Sequence, residues 1–515
     1  MHTSLARRLS IAATTLAMVA IGTGTAGAQP PPHAAASSDG PGGGSGNAAG
    51  KASSGPADRF WVDTLVDTVD ADIGDGQCED ADGDCSLRAA VQEANAAGER
   101  VRIRLDKGAT YVLDRSGAGE DFAATGDLDV TGDVVVKGDA TIDATGLGDR
   151  LFDVAGDAAL ALDGPDLVGG TPPSGESGGA IRSAGTTDLK KADVSDSVAE
   201  GPGASGGAVF NAGGHLAIKN STLSANHASR AGGAIEANAG TTELKNVELV
   251  DNSTGAMPGN GGGLHLTGAG VVDVRDSMVS GNTAAAEGGG LWNSGSGTMT
   301  VTDTHLVGNT ASGDLADNGG GALFNDGGTL TVWRSTIADN AADGSAGSGG
   351  GILNDSGWLV VTDTSITDNT SNRAGGGIEA VAGTTDLDRV DLSGNSTGAA
   401  PGNGGGLHLT GAGDVTVTSS LVADNTAAAE GGGLWNFSTG TMTVADTTIV
   451  GNVASGDSAT QGGGGLFNDG GILVVTDSTV DDNVANGTSG SGGGVLNDQG
   501  MLTVVATSLS GNTSN

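Results

Sequence analysis

The chain predicts an all-β fold, a parallel β-solenoid with three strands per coil and a single capping helix. A fixed period, glycine in place of aromatic core material, and period-two alternation inside each period predict it. Glycine supplies 96 of 515 residues while aromatics are 3%, which fits tight turns repeated many times rather than one large globular core. Marking the residue before the apolar position of each Gly-Gly-Gly/Ala-[ILV] element gives 180, 208, 234, 263, 290, 322, 351, 377, 406, 433, 465 and 494. From 208 the differences run 26, 29, 27, 32, 29 and then repeat in that order. The unit is a coil of about 29 residues, and five coils make a block of 143 that occurs twice. Thus "GGGLWNSGSGTMTVTDTHLVGNTA" at 288–311 and "GGGLWNFSTGTMTVADTTIVGNVA" at 431–454 occupy the same place in two copies.

Taken from the start, residues 1–28 carry Arg7 and Arg8, an apolar stretch from Ile11 to Ile21, and Ala26-Gly27-Ala28. That order is expected of a cleaved secretory signal. Residues 29–58 are rich in Gly, Ser, Ala and Pro without apolar periodicity, the composition of a disordered linker. Residues 59–100 hold both cysteines and a helical pattern. Cys78 and Cys85 form an even pair seven positions apart; in an exported chain this predicts a disulfide closing an acidic loop, with redox use the weaker reading. Ser86 is placed to N-cap a helix whose Leu87, Val91 and Ala94 share one face, and such a helix would cover the open end of the first coil.

From 101 to 515 the solenoid follows, with about three weakly marked coils before 176 and 12 Gly-marked coils after. Each coil contains alternating pieces such as Leu323 to Asn325, Leu330 with Val332, and Ile337 to Asn340, the period of a strand with one face buried. Two asparagine series keep the beat. One runs from Asn226 through Asn309 to Asn512; the other includes Asn293, Asn325, Asn354, Asn436, Asn468 and Asn497. Stacked at about 4.8 Å, their amides can bond up and down a column, so these are read as structural.

"CSLRAAVQEANA", preceded by "DTVDADIGDGQC", resembles the CSLREA-type N-terminal module of secreted bacterial right-handed parallel β-helix proteins. The coils with GGG-[IL]-x-N resemble the repeats of polymorphic outer-membrane proteins and other pectate-lyase-like solenoids. Ala89 stands where that module has Glu, which removes the carboxylate half of a capping box. The resemblance implies a right-handed parallel β-helix outside the cell, secreted or at the surface. It implies no reaction.

A net charge of -40 opposes binding to nucleic acid and to anionic membrane surfaces, and no later stretch reaches the 18 apolar residues of a membrane span. Calcium is the one cofactor the residues suggest, at Asp80, Asp82 and Asp84. An EF-hand is excluded, because Cys85 stands at its glycine and Val91 at its final carboxylate; an irregular site or a plain solvated turn both stay open. Alternation points Phe210, Glu236, His265, Trp292, Phe324, Leu353 and then Glu379, His408, Trp435, Phe467, Leu496 outward on successive coils. Glu, His, Trp and Phe so arranged could bind a glycan by stacking and hydrogen bonding or do acid/base work; the plain alternative is a stiffening ladder.

No local motif supplies the paired carboxylates of a glycoside hydrolase, although a cleft assembled from turns of different coils stays open. A threonine column through Thr300, Thr331, Thr416, Thr443 and Thr503 suggests ice binding, but Asp273, Val360 and Val474 interrupt it. The function expected is a non-catalytic surface scaffold or adhesin-like protein with an elongated face for an extracellular polysaccharide or surface glycoprotein. A polysaccharide lyase or glycoside hydrolase is the alternative, and an ice-binding solenoid the second. No capping segment follows Asn512, so end-to-end self-association is a further expectation.

Overall fold

The computed structural model describes residues 60–515; the expected signal segment 1–28 and linker 29–58 lie outside the described residues. One turn shows how the coil is made. Leu264–Thr267, Val271–Arg275, Met278–Ser280 and Thr283–Ala284 follow one another as short strands, and a Gly-rich turn then leads to Leu291–Asn293 one layer up. Every ladder between layers is parallel, with Leu264 beside Leu291 and Val272 beside Met299.

The turns build three sheets of 14, 29 and 12 strands. The chain is therefore an all-β parallel solenoid of about 14 turns, with a single helix among the described residues. The 29-stranded sheet takes two strands from most turns, which fuse into one long strand at His215–Ser224 and Thr241–Val250. Elsewhere one residue between the two strands bends the chain with positive φ, as at Asp276, Asp303 and Asp363, a conformation short polar side chains tolerate through local hydrogen bonds. The 12-stranded sheet is made of two-residue strands, too short to leave an alternating signature in the sequence.

Inside, the alternation delivers what periodicity predicts. In the turn beginning at Leu291, the side chains of Leu291, Met299, Val301 and Leu306 join one continuous apolar core along the solenoid. Fully burying such a side chain is worth roughly 1.5–3 kcal/mol. Both asparagine series are ladders. The first is unbroken from Asn226 to Asn512, with Asn282 Nδ2 2.9 Å from Asn309 Oδ1 and Asn309 Nδ2 3.0 Å from Asn340 Oδ1. In the second, Asn293 donates to Asn325 and Asn325 to Asn354, each at 2.8 Å, and Asn354 ends the run on Thr385.

At the open end, Leu87–Ala96 forms helix α1, and Ser86 Oγ accepts the Ala89 N–H at 3.0 Å. Leu87, Val91 and Ala94 enter the apolar core, and Cys78 and Cys85 form the expected disulfide. The polar residues of the helix are equally occupied. Arg88, fully buried, pairs with Asp67 at 2.7 Å and donates to the carbonyls of Ala123, Gly126 and Asp127. Gln92 holds the amide of Asp70, and Glu93 those of Gly74 and Gly76. The helix thereby fixes the acidic loop to the first turns.

Candidate functional site

The predicted column assembles in register. Phe210, Glu236, His265, Trp292 and Phe324 are Cα partners on consecutive strands of the 14-stranded sheet, and Glu379, His408, Trp435 and Phe467 repeat the series. None of the eight site residues belongs to the central core, so alternation assigned the correct face. Exposure did not follow. Trp292 retains only 8% of its surface and Trp435 4%, while Glu236, His265, Phe324, Glu379, His408 and Phe467 are buried as well.

The reason is the Gly turn. In Gly288-Gly289-Gly290 the first glycine has a φ of 62°, and a Cβ on it would lie 3.0 Å from Trp292 Cβ. A Cβ on Gly289 would fall 2.2 Å from the Gly321 carbonyl of the next turn. Lacking side chains there, the incoming chain folds flat over the strand it is about to enter and roofs the column.

Beneath that roof the polar groups satisfy one another. His265 Nδ1 lies 2.9 Å from Glu236 Oε2, and Thr267 Oγ1 donates to Glu236 Oε1 at 2.6 Å. His265 stacks on Trp292 at 4.2 Å between ring centroids, and Trp292 on Phe324 at 6.0 Å. Trp292 Nε1 donates to Glu287, which also receives Asn260 and Asn318. Burial pushes the Glu287 carboxyl above its usual range against the pull of Trp292 and Asn318. The second copy matches: His408 Nδ1 is 3.0 Å from Glu379, and His408 and Trp435 stack at 4.3 Å. Buried networks of this kind specify packing; they present no platform to a ligand.

Asp80, Asp82 and Asp84 form a local turn. Asp80 Oδ1 accepts the amides of Asp82 and Asp84 at 2.9 and 3.0 Å. Burial works to raise the Asp80 carboxyl, but the Asp84 amide, the Thr68 hydroxyl and further amides outweigh it and hold it below its usual range. Among the described residues no group of three or more His, Cys, Asp or Glu is placed to hold a metal ion.

Register also carries the outward column upstream, to Arg182 on the first Gly-marked coil and beyond the marked coils to Asp153 and Asp129. The turns before Asp129 and Asp153 lack the paired glycines, and a cleft of about 210 Å³ opens among carboxylates and arginines. Arg150 reaches Asp127 at 3.2 Å, Asp153 at 3.0 Å, and Glu176. Arg182 Nη1 binds Asp153 at 2.9 Å. Burial, with Asp149 and Asp129 nearby, pushes Asp127 up to about 8. Asp129 rises to about 7, mainly by burial, against the 2.8 Å bond from the Ala123 amide. Carboxyl groups protonated near neutral pH stand beside one that accepts hydrogen bonds from two arginines, a set able to exchange a proton with a bound hydroxyl. The only trace of this in the sequence is the spacing of Asp129, Asp153 and Arg182, which continues the column at 24 and 29 residues.

No protein-family model matches the chain, and no curated protein matches it. Among solved structures, a periplasmic alginate epimerase is 8% identical, with 80% of this chain and 77% of that one covered and a TM-score of 0.32. The A-module of a mannuronan C-5 epimerase from Azotobacter vinelandii is 13% identical over 82% and 94%, with a TM-score of 0.27. A surface adhesin of Streptococcus pneumoniae is 10% identical over 83% and 88%, also at 0.27. Scores this low say nothing of the present chain's chemistry, and its fold rests on its own hydrogen-bond register.

Proposed function

We propose that the protein is a secreted, non-catalytic scaffold of the cell exterior that binds an extended glycan along its length, its N-terminal module acting as the cap. The observation that carries this reading is the residue-for-residue register, which turns each outward position into a column of side chains at about 4.8 Å spacing. A partner made of repeated units meets repeated contacts, and affinity accumulates through effective concentration. With Trp292 and Trp435 roofed, the exposed aromatic rings among the described residues are Trp61, Phe122, Trp333 and Trp358, with the Arg334 guanidinium 3.6 Å over the ring of Trp333. No helix among the described residues is long and apolar enough to cross a membrane. Binding to a panel of polysaccharides and their oligomers tests the reading: affinity should rise at least about ten-fold from disaccharide to decasaccharide, and affinity independent of length would remove it.

The acidic cleft supports a second reading, a carbohydrate-active enzyme using Asp127 or Asp129 as proton donor and Asp153, held by Arg150 and Arg182, as the second carboxyl group. Appearance of new reducing ends or unsaturated products from acidic polysaccharides, abolished by Asp153→Asn, would establish it; a full panel without turnover would dismiss it.

A further inference from the structure

In a chain with 62 acidic residues and 22 Lys and Arg, cations should be scattered, yet one outward column of the 29-stranded sheet collects them. Arg104 is the Cα partner of Lys137, Lys137 of Asp163, Asp163 of Lys190, Lys190 of Lys219, Lys219 of Lys245, and Lys245 of Arg275. Six of seven consecutive rungs are basic, over roughly 30 Å at strand spacing. Beyond Arg275 the remaining sequence has no lysine and only three arginines, Arg334, Arg373 and Arg389, so the ladder is confined to the first turns. Trp61, 56% exposed, heads the column as the rung partner of Arg104.

Like charges placed in line repel, and partners relieve only part of this column. Lys137 pairs with Asp163 at 2.7 Å, and Arg275 binds Asp273. Lys190 and Lys219 are exposed and have no ion-pair partner among the described residues. Between them and Lys137 runs a groove of about 270 Å³, floored by Val135, Ala161 and Ala217, which are rung partners in the adjacent column. Asp188 stands in that floor between Ala161 and Ala217.

We infer that this ladder binds one chain of an acidic polysaccharide lengthwise, its carboxylates on Lys137, Lys190 and Lys219 and its sugar faces on the apolar floor. The inference rests on the elongated glycan-binding reading and assigns that reading a place and a ligand charge. Two features select a sugar acid over a phosphate polymer. Small apolar side chains match the C–H face of a pyranose, and Asp163 and Asp188 can accept sugar hydroxyls while repelling a dense row of phosphates.

The test is equilibrium binding of the purified protein to polygalacturonate, its fully methyl-esterified form, dextran and inorganic polyphosphate. Polygalacturonate should bind, weaken steeply as salt rises, and exceed the esterified polymer by at least about ten-fold. The double variant Lys190→Glu/Lys219→Glu should lose about ten-fold or more, because each removed ion contact is worth up to about five-fold in affinity. Lys190→Ala/Lys219→Ala should lose less, and Arg389→Glu, outside the ladder, should change nothing. Unaltered melting of these surface variants checks their folding. Unchanged binding by the double variant overturns the ladder, as does tighter binding of polyphosphate than of polygalacturonate. If dextran binds as well as polygalacturonate and the lysine variants are silent, glycan binding stands and the ladder falls; if no polysaccharide binds, both fall.

Discussion

Replacing Asn309 by Ala tests the ladder that holds the turns together. Asn309 Oδ1 accepts the backbone N–H of Asn282 at 3.1 Å and its Nδ2 at 2.9 Å. Its own Nδ2 donates to Val279 O at 2.9 Å and to Asn340 Oδ1 at 3.0 Å. Alanine removes all four bonds at a site closed to water. Asn282 Nδ2 keeps Leu249 O, and Asn340 Oδ1 keeps the Asn309 amide, so the principal loss is the stranded Asn282 N–H. A buried orphan of that kind costs about 1–3 kcal/mol, and the lost carbonyl partner and the small cavity bring the total to about 3–5 kcal/mol. Repeat arrays do not unfold in one step, so the assay is hydrogen exchange by mass spectrometry on peptides spanning 279–345. Protection there should fall by about 10² to 4 × 10³-fold while the first turns keep theirs. Asn512→Ala is the control, because Asn512 bonds Asn483 at 3.0 Å in a half-exposed position, where water replaces the partner at about 1 kcal/mol. A loss below about 1 kcal/mol at Asn309, or equal losses at the two sites, would refute the reasoning.

Three further outcomes follow. Trp292→Ala and Trp435→Ala should each cost about 3–5 kcal/mol of local stability and leave polysaccharide binding unchanged, because both rings are roofed; binding that falls without loss of protection would return them to the surface. Arg88→Met takes the cation from buried Asp67, which keeps the Asp114 and Arg115 amides, and leaves the Gly126 and Asp127 carbonyls without the arginine while Ala123 O keeps Gln92; protection of residues 60–130 should drop by about 3–5 kcal/mol, and adding Asp67→Asn should recover part of it. Asp127 binds its proton up to about pH 8 in the folded chain against a reference value of 3.8. Across that window the folded state holds more protons than the unfolded one, so stability falls as pH rises through it. Asp127→Asn should flatten this slope and make the first turns more stable than the parent at pH 9, by at most ~6 kcal/mol; unchanged pH dependence in hydrogen exchange would contradict the buried, protonated carboxyl.

The chain determined by itself everything that depends on period. Spacing of the glycine elements set the number of marked coils and the duplicated block, and alternation sorted Leu291 from Trp292. The asparagine beat announced the amide ladders. These were legible because a solenoid contacts chiefly its own neighbours in sequence, so local pattern and tertiary contact coincide. Three features escaped that logic. Exposure of Trp292 depended on a roof formed by Gly288 and its neighbours, whose backbone conformation alternation does not encode. The carboxylate cleft joined Asp127, Arg150, Asp153 and Glu176 from turns whose lengths differ and whose glycine markers are absent. The cationic ladder is a column only through the register of seven successive strands, in which Asp163 separates Lys137 from Lys190. In each case function depends on what lies across a layer or over a strand, and that is decided by register and turn geometry rather than by the order of residues.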